Sequence, residues 1–436
     1  MPLSPMPTED FFPLRTSLRL DNHSYSPTVR KMVAEAMGQL RSAEQATFAL
    51  KLAKIPISSR HVQRLAQEIG NEMAHQRDDQ VIQQRRRELP VRVSATPEVV
   101  AVEVDGGRLR TRAQGCGPGV HEVQGKEEKV AALMTLKSPT FEHDPQSEPP
   151  PSFLQPRRVR RLVTQMKGLA GRTRRIVRKT HRIFRNTQSK KRNRRPNRHR
   201  LNRLRRRRRW TTPVVPSDWC TCVASMSCSD QFGPMMAAEA QERDFYRAPR
   251  KAFVGDGAEY NWSIHRGYFA DFEPITDFLH ALCYVYLAAW AESDTEAQQW
   301  SLYETWLRAC WQGRVSDVIA ELEGVQQRVG MPPDGEELDK KDPRRLVSEA
   351  LSYLGNNQRR MDYPRYRREG LPITSSWVES LVGDFNARVK SRQQFWNRPK
   401  GPEPILQRAA VLSEDERLDR FFAQRPGNPR RGRKAA

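Results

Sequence analysis

The segment from Arg157 to Arg209 contains 25 lysine and arginine residues and neither aspartate nor glutamate. Apolar residues at helical spacing in its early part predict an amphipathic helix. These residues are Val159, Leu162, Val163, Met166 and Leu169. From Arg172 onward the apolar content is too low for a core, so we expect disorder in the free protein and phosphate binding in a complex. Folded structure must therefore come from the sequence on either side.

The excess positive charge of the chain comes from this arginine-rich tract. The protein has 75 basic and 51 acidic residues, and its formal net charge is +24. Outside the tract, 50 basic residues balance 51 acidic ones. A polyanionic partner explains such a tract, and nucleic acid is the polyanion we expect. A merely solvated charge run and an RNA-binding, nucleolar tract are the alternatives.

The remaining composition predicts a soluble, cytoplasmic and nucleoid-associated protein. Residues 1–12 lack the basic-then-apolar pattern of a signal peptide. The most apolar window, residues 278–290, is too short and too polar to span a membrane. Six cysteines without the spacing of a small secreted domain suit a reducing compartment. With 436 residues, the chain is long enough for two or three domains.

The sequence before residue 97 has the periodicity of helices. Residues 27–40 predict one helix, and Ser42 begins a capping-box pattern for a second. A third helix is predicted after Ser58, and residues 71–97 look like a connector. For the second helix we expect a buried face of Phe48, Ala49 and Leu52. For the third we expect a buried face of Val62, Leu65 and Ile69 and an exposed face of Arg60, His61, Gln63, Arg64 and Gln67.

This arrangement suits a helix-turn-helix DNA reader, in which Arg60, Gln63 and Arg64 would contact DNA. An ordinary three-helix bundle with a polar surface is the alternative, because no spacing here is diagnostic.

Two short β-branched or apolar runs each end in an aspartate followed by glycine. The first is Val99–Val104 with Asp105, and the second is Ala252–Val254 with Asp256. Further strands are predicted at 129–136, 221–226 and 272–276, and a helix at 235–246. Residues 277–363 have a helical pattern, and a final long helix that carries Glu379 begins near Ser376.

Two aspartates at strand ends and a glutamate on a late helix are the groups that two-metal phosphoryl transfer requires. Two Mg²⁺ ions about 3.5–4 Å apart contact the attacking and leaving oxygens, and carboxylates are their preferred protein ligands. Asp105, Asp256 and Glu379 are therefore the candidate catalytic and metal-binding residues.

Each of these three residues also has a plain structural interpretation. Both aspartates fit Asp-Gly turns, and Ser376 and Glu379 form a capping-box pattern. Glu103 lies on the same strand face as Asp105, and Asp271 and Asp277 compete with Asp256. Cys220, Cys222 and Cys228 lack the usual zinc spacing, and no phosphate-binding G-x-x-x-x-G-K-[ST] loop is present.

An ordered set of motifs resembles bacterial insertion-sequence DDE transposases of the Kra type. It covers roughly residues 25–155 and 217–400. Its motifs are Asp105-Gly106-Gly107-Arg108, Gly117-Pro118-Gly119, Gly125-Lys126-Glu127, Lys129-Val130, Phe232-Gly233-Pro234, Ala252 to Gly257, Asn261-Trp262, Asp277-Phe278-Leu279-His280, and Pro372 to Ser376 with Glu379-Ser380. The tract from Arg172 to Arg209 does not match the family pattern.

The resemblance implies an α/β fold with an RNase H-like mixed sheet and flanking helices, interrupted by an all-α insertion. An all-α helix-turn-helix-like domain would precede it. It also implies a DDE triad of Asp105, Asp256 and Glu379, with Asp277 and His280 as auxiliary residues. The last two fit a helix N-cap and its N3 residue equally well.

The expected function is Mg²⁺-dependent strand cleavage and strand transfer on double-stranded DNA, at transposon ends and at the target. Two Mg²⁺ ions would be used, with Mn²⁺ as a substitute, and a homodimer or higher oligomer is expected on DNA. The expected phosphate contacts are Arg205, Arg206, Arg207, Arg208, Arg209, Arg388, Lys390 and Arg392. A DNA-binding regulator without catalysis, and an RNase H-like nuclease without strand transfer, are the alternatives.

The domain organisation predicted from these patterns has seven parts. They are the helical N-terminal domain (1–97), the first part of the catalytic core (98–136), a Pro-rich linker with the arginine-rich tract (137–213), the second part of the core (214–276), the all-α insertion (277–366), the final core helix region (367–423) and a disordered basic tail (424–436).

Overall fold

In a computed structural model of the chain, the described residues are 25–112, 124–167, 215–333, 335, 338–390, 396–398, 400–411 and 416–424. They belong to two compact units. Unit 1 comprises Met1–Lys137, Pro216–Pro274 and Ser375–Ala436, and unit 2 comprises Ser138–Val215 and Ile275–Thr374. None of the helices in the described ranges is long and apolar enough to cross a membrane.

Unit 1 begins with three helices, α1 (Pro27–Gln39), α2 (Ala43–Leu52) and α3 (Ser59–Arg85). The predicted caps of α2 and α3 are confirmed, because Ser42 Oγ accepts from Gln45 N at 3.2 Å and Ser58 Oγ from His61 N at 3.3 Å. The predicted connector is wrong up to Arg85, since residues 71–85 continue α3. Met73 explains the extension, because it packs on Phe421 and Phe422 from the far end of the chain.

The predicted buried face of α2 is wrong. Phe48 and Leu52 are 63% and 71% exposed. The buried residues are instead Ala46 and Leu50, which are one turn apart and face the apolar cluster formed with α1 and α3. The predicted faces of α3 are confirmed, with Val62, Leu65 and Ile69 buried and the polar side chains exposed.

A five-stranded mixed sheet forms the centre of unit 1. Its strands are β1 (Val99–Thr111), β2 (Gln124–Lys137), β3 (Val215–Ser225), β4 (Arg250–Gly255) and β5 (Glu273–Thr276), in the order β3-β2-β1-β4-β5. β1 is antiparallel to β2 and parallel to β4. The boundary between the two units falls within β5. All five predicted strands are present, and the α/β class with flanking helices is confirmed.

Helices cover both faces of this sheet. On one face, Val102 and Phe253 pack into a core with residues of α5 (Ser229–Glu242) and α6 (Glu259–Tyr268). The predicted start of α5 is wrong by six residues, because Pro234 is accommodated inside the helix. The opposite face of β1 and β2 contacts α12 (Ser376–Val389), which is followed by α13 (Glu403–Val411) and α14 (Arg417–Gln424).

The regular structure of unit 2 is helical in its described residues, apart from the end of β5 and Val215, the first residue of β3. Its helices are α4 (Pro156–Lys167), α7 (Phe278–Glu292), α8 (Glu296–Trp311), α9 (Val315–Val329), α10 (Pro343–Asn357) and α11 (Tyr363–Arg368). Phe278 is central, with ring centroids 4.9 Å from Trp311 and 5.0 Å from Tyr363. Part of the predicted linker packs here, because Tyr303 Oη donates to Phe153 O at 2.9 Å.

Candidate functional site

Asp105 lies inside β1, and the expectation that it ends the strand is wrong. The strand continues to Thr111 because its antiparallel pairing with β2 runs along the whole length. The parallel pairing with β4, however, ends at Val104 and Gly255. Asp105 and Asp256 are therefore the next residues on two adjacent parallel strands, which lie about 4.8 Å apart.

Asp256 is held by the turn that leads from β4 into α6. Its Oδ1 accepts hydrogen bonds from Ala258 N at 2.9 Å and from Asn261 Nδ2 at 2.8 Å. Gly257 has a φ of +94°, a conformation that favours glycine. Asp256 is thus a turn residue, as the Asp-Gly turn interpretation predicted. The hydrogen bonds of the turn also fix the orientation of its carboxylate.

The face of β1 that carries Asp105 is the one toward α12. Val102 and Val104 point into the core with α5 and α6, so Glu103 and Asp105 point the opposite way. Glu103 is fully buried, and its Oε2 accepts from Val378 N at 3.0 Å. Glu103, the competitor of Asp105, therefore anchors the N-terminus of α12.

Glu379 does not belong to a capping box. Ser375 is the N-cap of α12 and makes no capping hydrogen bond through its side chain, and Ser376 is already helical. Glu379 is the next residue after Val378, whose N–H is bound by Glu103. The glutamate from β1 therefore replaces the missing cap and positions the first turn of α12, with Glu379, over the sheet.

The three predicted acids of unit 1 occupy one region without converging on a single point. Among the described residues, Asp105, Asp256 and Glu379 do not form a set whose ligand oxygens all lie within 4.8 Å of one another. A two-ion site does not require this, because its ligands are divided between two ions about 3.5–4 Å apart. Burial, and then the charges of Asp256, Glu127 and Asp105, raise the pKa of Tyr260 well above its usual range.

Glu128 is a site residue that the sequence did not reveal. It lies opposite Gly107 in the β1–β2 ladder, on the same face as Asp105, and is fully buried. Neither of its carboxylate oxygens has a hydrogen-bond partner among the residues that the structure describes. Burial raises its pKa to about 8, Lys390 lowers it and Asp105 raises it further. Only the strand register could have identified Glu128, because Glu127-Glu128-Lys129 reads as a solvent-exposed strand start.

The auxiliary residues Asp277 and His280 lie in unit 2. Asp277 is the N-cap of α7, as the structural alternative predicted, and its Oδ1 accepts from Leu279 N at 2.9 Å. His280 Nε2 lies 3.9 Å from Asp277 Oδ2. Burial lowers the pKa of His280 to about 4, although Asp277 opposes this and Lys167 adds to it. A carboxylate and a neutral imidazole side by side are both suitable metal ligands.

Asp271, the other competitor of Asp256, lies at the far end of β4. It is ion-paired to Lys251 Nζ at 2.6 Å, and Lys251 is paired with Val100 in the sheet. Lys251 precedes Asp256 by five residues, and Val100 precedes Asp105 by five residues. Asp271 is therefore remote from Asp105.

The predicted DNA contacts fall into three groups. Arg60, Gln63, Arg64 and Lys390 are exposed. Arg388 is half-buried, its Nη1 donates to Asp384 O at 3.0 Å, and burial lowers its pKa. Arg205 to Arg209 and Arg392 lie outside the described residues.

No family model matches this chain, and no match was found among curated proteins. Its function is therefore inferred from its own residues and their geometry.

Proposed function

We propose that this protein is a DNA transposase that uses a DDE two-metal mechanism for strand cleavage and strand transfer. The observation that carries the proposal is the shared register of Asp105 and Asp256, which directly follow the last paired residues of two parallel strands. The mixed sheet, with β1 between an antiparallel and a parallel neighbour, is compatible with the RNase H-like core that the resemblance implies.

The donor set fits Mg²⁺. Asp105, Asp256 and Glu379 offer hard carboxylate oxygens, and Glu128 adds two buried carboxyl oxygens that accept no hydrogen bond from any described residue. Asp105, Asp256 and Glu379 would together hold the ions. Bound Mg²⁺ would activate the nucleophile and neutralise charge on the phosphoryl oxygens, and Mn²⁺ accepts the same oxygen ligands.

The protein's own contribution is to orient these carboxylates before DNA arrives. Asn261 and Ala258 fix Oδ1 of Asp256, and Glu103 fixes the helix turn that carries Glu379. Preorganisation of this kind lowers the barrier, because the groups need not rearrange during the reaction.

The proposed chemistry is two successive phosphodiester exchanges. In the first, the oxygen of water attacks phosphorus at the transposon end, and the bond from phosphorus to the 3′ oxygen breaks. In the second, the freed 3′ hydroxyl attacks a phosphorus of the target strand, and the 3′ oxygen of the target leaves. The exposed Arg60, Gln63 and Arg64 would contact duplex DNA, and two bound ends would bring two copies of the chain together.

The test measures cleavage of a linear DNA fragment that contains the sequences flanking this gene, in Mg²⁺ or Mn²⁺. Asp105→Asn, Asp256→Asn and Glu379→Gln should each reduce cleavage by about 10³-fold or more, since a metal ion contributes several kcal/mol. Asp271→Asn is the matched control, because this exposed acid of unit 1 lies remote from Asp105. It should leave cleavage unchanged.

Wild-type activity in any of the three variants would remove that residue from the triad. DNA binding by the wild-type protein without cleavage would favour a regulator instead. Cleavage without joining to target DNA would favour a nuclease of the same fold.

A further inference from the structure

We propose that Glu128 is a fourth carboxylate of the cation site, where it binds the ion next to Asp105 together with the side-chain oxygen of Asn386. This inference rests on the proposed function and deepens it, because it adds ligands that the DDE triad does not contain.

The strand register brings Glu128 to Asp105. Glu128 is directly opposite Gly107, and Asp105 is directly opposite Val130, so the two acids are diagonal neighbours on one face of the β1–β2 ladder. Diagonal neighbours lie about 7–8 Å apart at their backbones, within reach of long side chains. Lys390, at the C-terminal end of α12, lowers the pKa of Glu128, whereas burial and Asp105 raise it.

Gly107 leaves the space that the carboxylate of Glu128 occupies. A Cβ atom at this position would lie 2.5 Å from Glu128 Oε1 and 3.2 Å from Asn386 Nδ2. Glu128 and Asn386 therefore meet above Gly107, one from β2 and the other from α12. Asn386 is seven residues after Glu379, so the two side chains share a face of the helix.

Three buried oxygens at this place have no hydrogen-bond donor within the described part of the chain. They are both carboxylate oxygens of Glu128 and Oδ1 of Asn386. A buried carboxylate without hydrogen bonds is costly unless a cation or a proton compensates it. Carboxylate and amide oxygens are ligands that Mg²⁺, Mn²⁺ and Ca²⁺ accept. The inferred ligand is therefore a divalent cation that prefers oxygen.

Binding of Mn²⁺ alone to the full-length protein, without DNA, tests this inference. Titration followed by the electron paramagnetic resonance signal of free Mn²⁺ gives the affinity directly. Glu128→Gln should weaken Mn²⁺ binding at least 10-fold, in the range seen when groups around a metal are removed. Glu127→Gln is the matched control on the same strand, because its side chain is 41% exposed and ion-paired to Lys129. It should stay within about 2-fold of wild type.

Gly107→Ala provides a second variant that changes no charge. Its Cβ would displace the Glu128 carboxylate, so it should also weaken Mn²⁺ binding about 10-fold. Wild-type Mn²⁺ affinity in both Glu128→Gln and Gly107→Ala would overturn the inference and make Glu128 a protonated structural acid. Absence of Mn²⁺ binding by the wild-type protein would overturn it as well.

The two proposals fail in different ways in these experiments. Mn²⁺ binding that depends on Glu128, without DNA cleavage by the wild-type protein, would reject the transposase and keep the cation site. DNA cleavage and Mn²⁺ binding at wild-type level in Glu128→Gln would reject the role of Glu128 and keep the transposase.

Discussion

Two buried glutamates of unit 1, Glu128 and Glu242, have opposite surroundings. Glu242 is 3% exposed, Arg92 Nη2 lies 2.6 Å from its Oε1, and Gln80 Nε2 donates to the same oxygen at 3.1 Å. Neither oxygen of Glu128 has a hydrogen-bond partner in the described ranges. Burial raises the pKa of both acids, to about 7 for Glu242 and about 8 for Glu128.

The fold provides Glu242 with an ion pair and a hydrogen bond that stabilise its carboxylate, and it provides no comparable partners for Glu128 among the described residues. Arg92, Arg417 and Arg420 all lower the pKa of Glu242, which is typical of a structural ion cluster. A neighbouring acid adds to the effect of burial in both cases, Glu239 at Glu242 and Asp105 at Glu128. At Glu128, however, the opposing charge comes from the exposed Lys390 and not from three arginines. Uncompensated buried charge is more typical of functional sites.

Glu103 is a third case, a buried acid compensated by a helix N-terminus. Glu103→Ala should lower the free energy of unfolding by about 3 kcal/mol, because it removes a cap and leaves the buried Val378 N–H without its acceptor. Urea denaturation at neutral pH measures this change through the transition midpoint.

Glu103→Gln is the control, because its amide oxygen still accepts from Val378 N. It should lose about 1 kcal/mol, from the weaker interaction with the helix dipole. Glu128→Gln should cause no loss of stability, because a carboxyl group with a pKa of about 8 is mostly protonated at neutral pH and the amide has nearly the same shape. If Glu128→Gln were as destabilising as Glu103→Ala, the distinction between the two acids would be wrong.

The raised pKa of Glu242 predicts a pH dependence of stability. The folded state holds the proton more tightly than the unfolded state, whose carboxyl titrates near its ordinary value of 4.5. The tighter proton binding adds to the free energy of unfolding in full below pH 4.5, and this stabilisation is lost as the pH rises to about 7. Relative to wild type, Glu242→Gln should therefore gain on the order of 3 kcal/mol between pH 4.5 and 7.5.

Thermal or urea unfolding of both proteins across this pH range checks the prediction. Glu239→Gln should reduce this pH dependence, because the charge of Glu239 is the largest contribution to the raised pKa of Glu242 after burial. If the free energies of unfolding of wild type and Glu242→Gln differed by the same amount at all pH values, the arginines would cancel the effect of burial on the pKa of Glu242.

Much of the site was predictable because its acids follow local patterns. Apolar β-branched runs predicted β1 and β4, and helical periodicity predicted α12. Glu128 was not predictable, since its neighbours depend on a register set by β1 and not by its own segment. The cap of α12 could not be predicted either, because Glu103 precedes Val378 by 275 residues.

The buried face of α2 was mispredicted for a related reason. Phe48 and Leu52 together are larger and more apolar than the buried pair Ala46 and Leu50, so hydrophobicity alone favoured the wrong side of the helix. The small Ala46 faces α1 and α3 together with Leu50. Tertiary packing, which periodicity does not encode, decided between two apolar faces.

The smallest expected effects concern the basic neighbours of the two glutamates. Arg92→Met should cost about 1–2 kcal/mol, because it removes a partly exposed ion pair from a buried acid. Lys390→Met should change stability by less than about 0.5 kcal/mol, because an exposed lysine compensates Glu128 only weakly. If Lys390 binds a DNA phosphate as predicted, the salt slope of DNA affinity should also fall by about one. A larger loss of stability for Lys390→Met than for Arg92→Met would mean that the fold does compensate Glu128, and its oxygens would then need no cation.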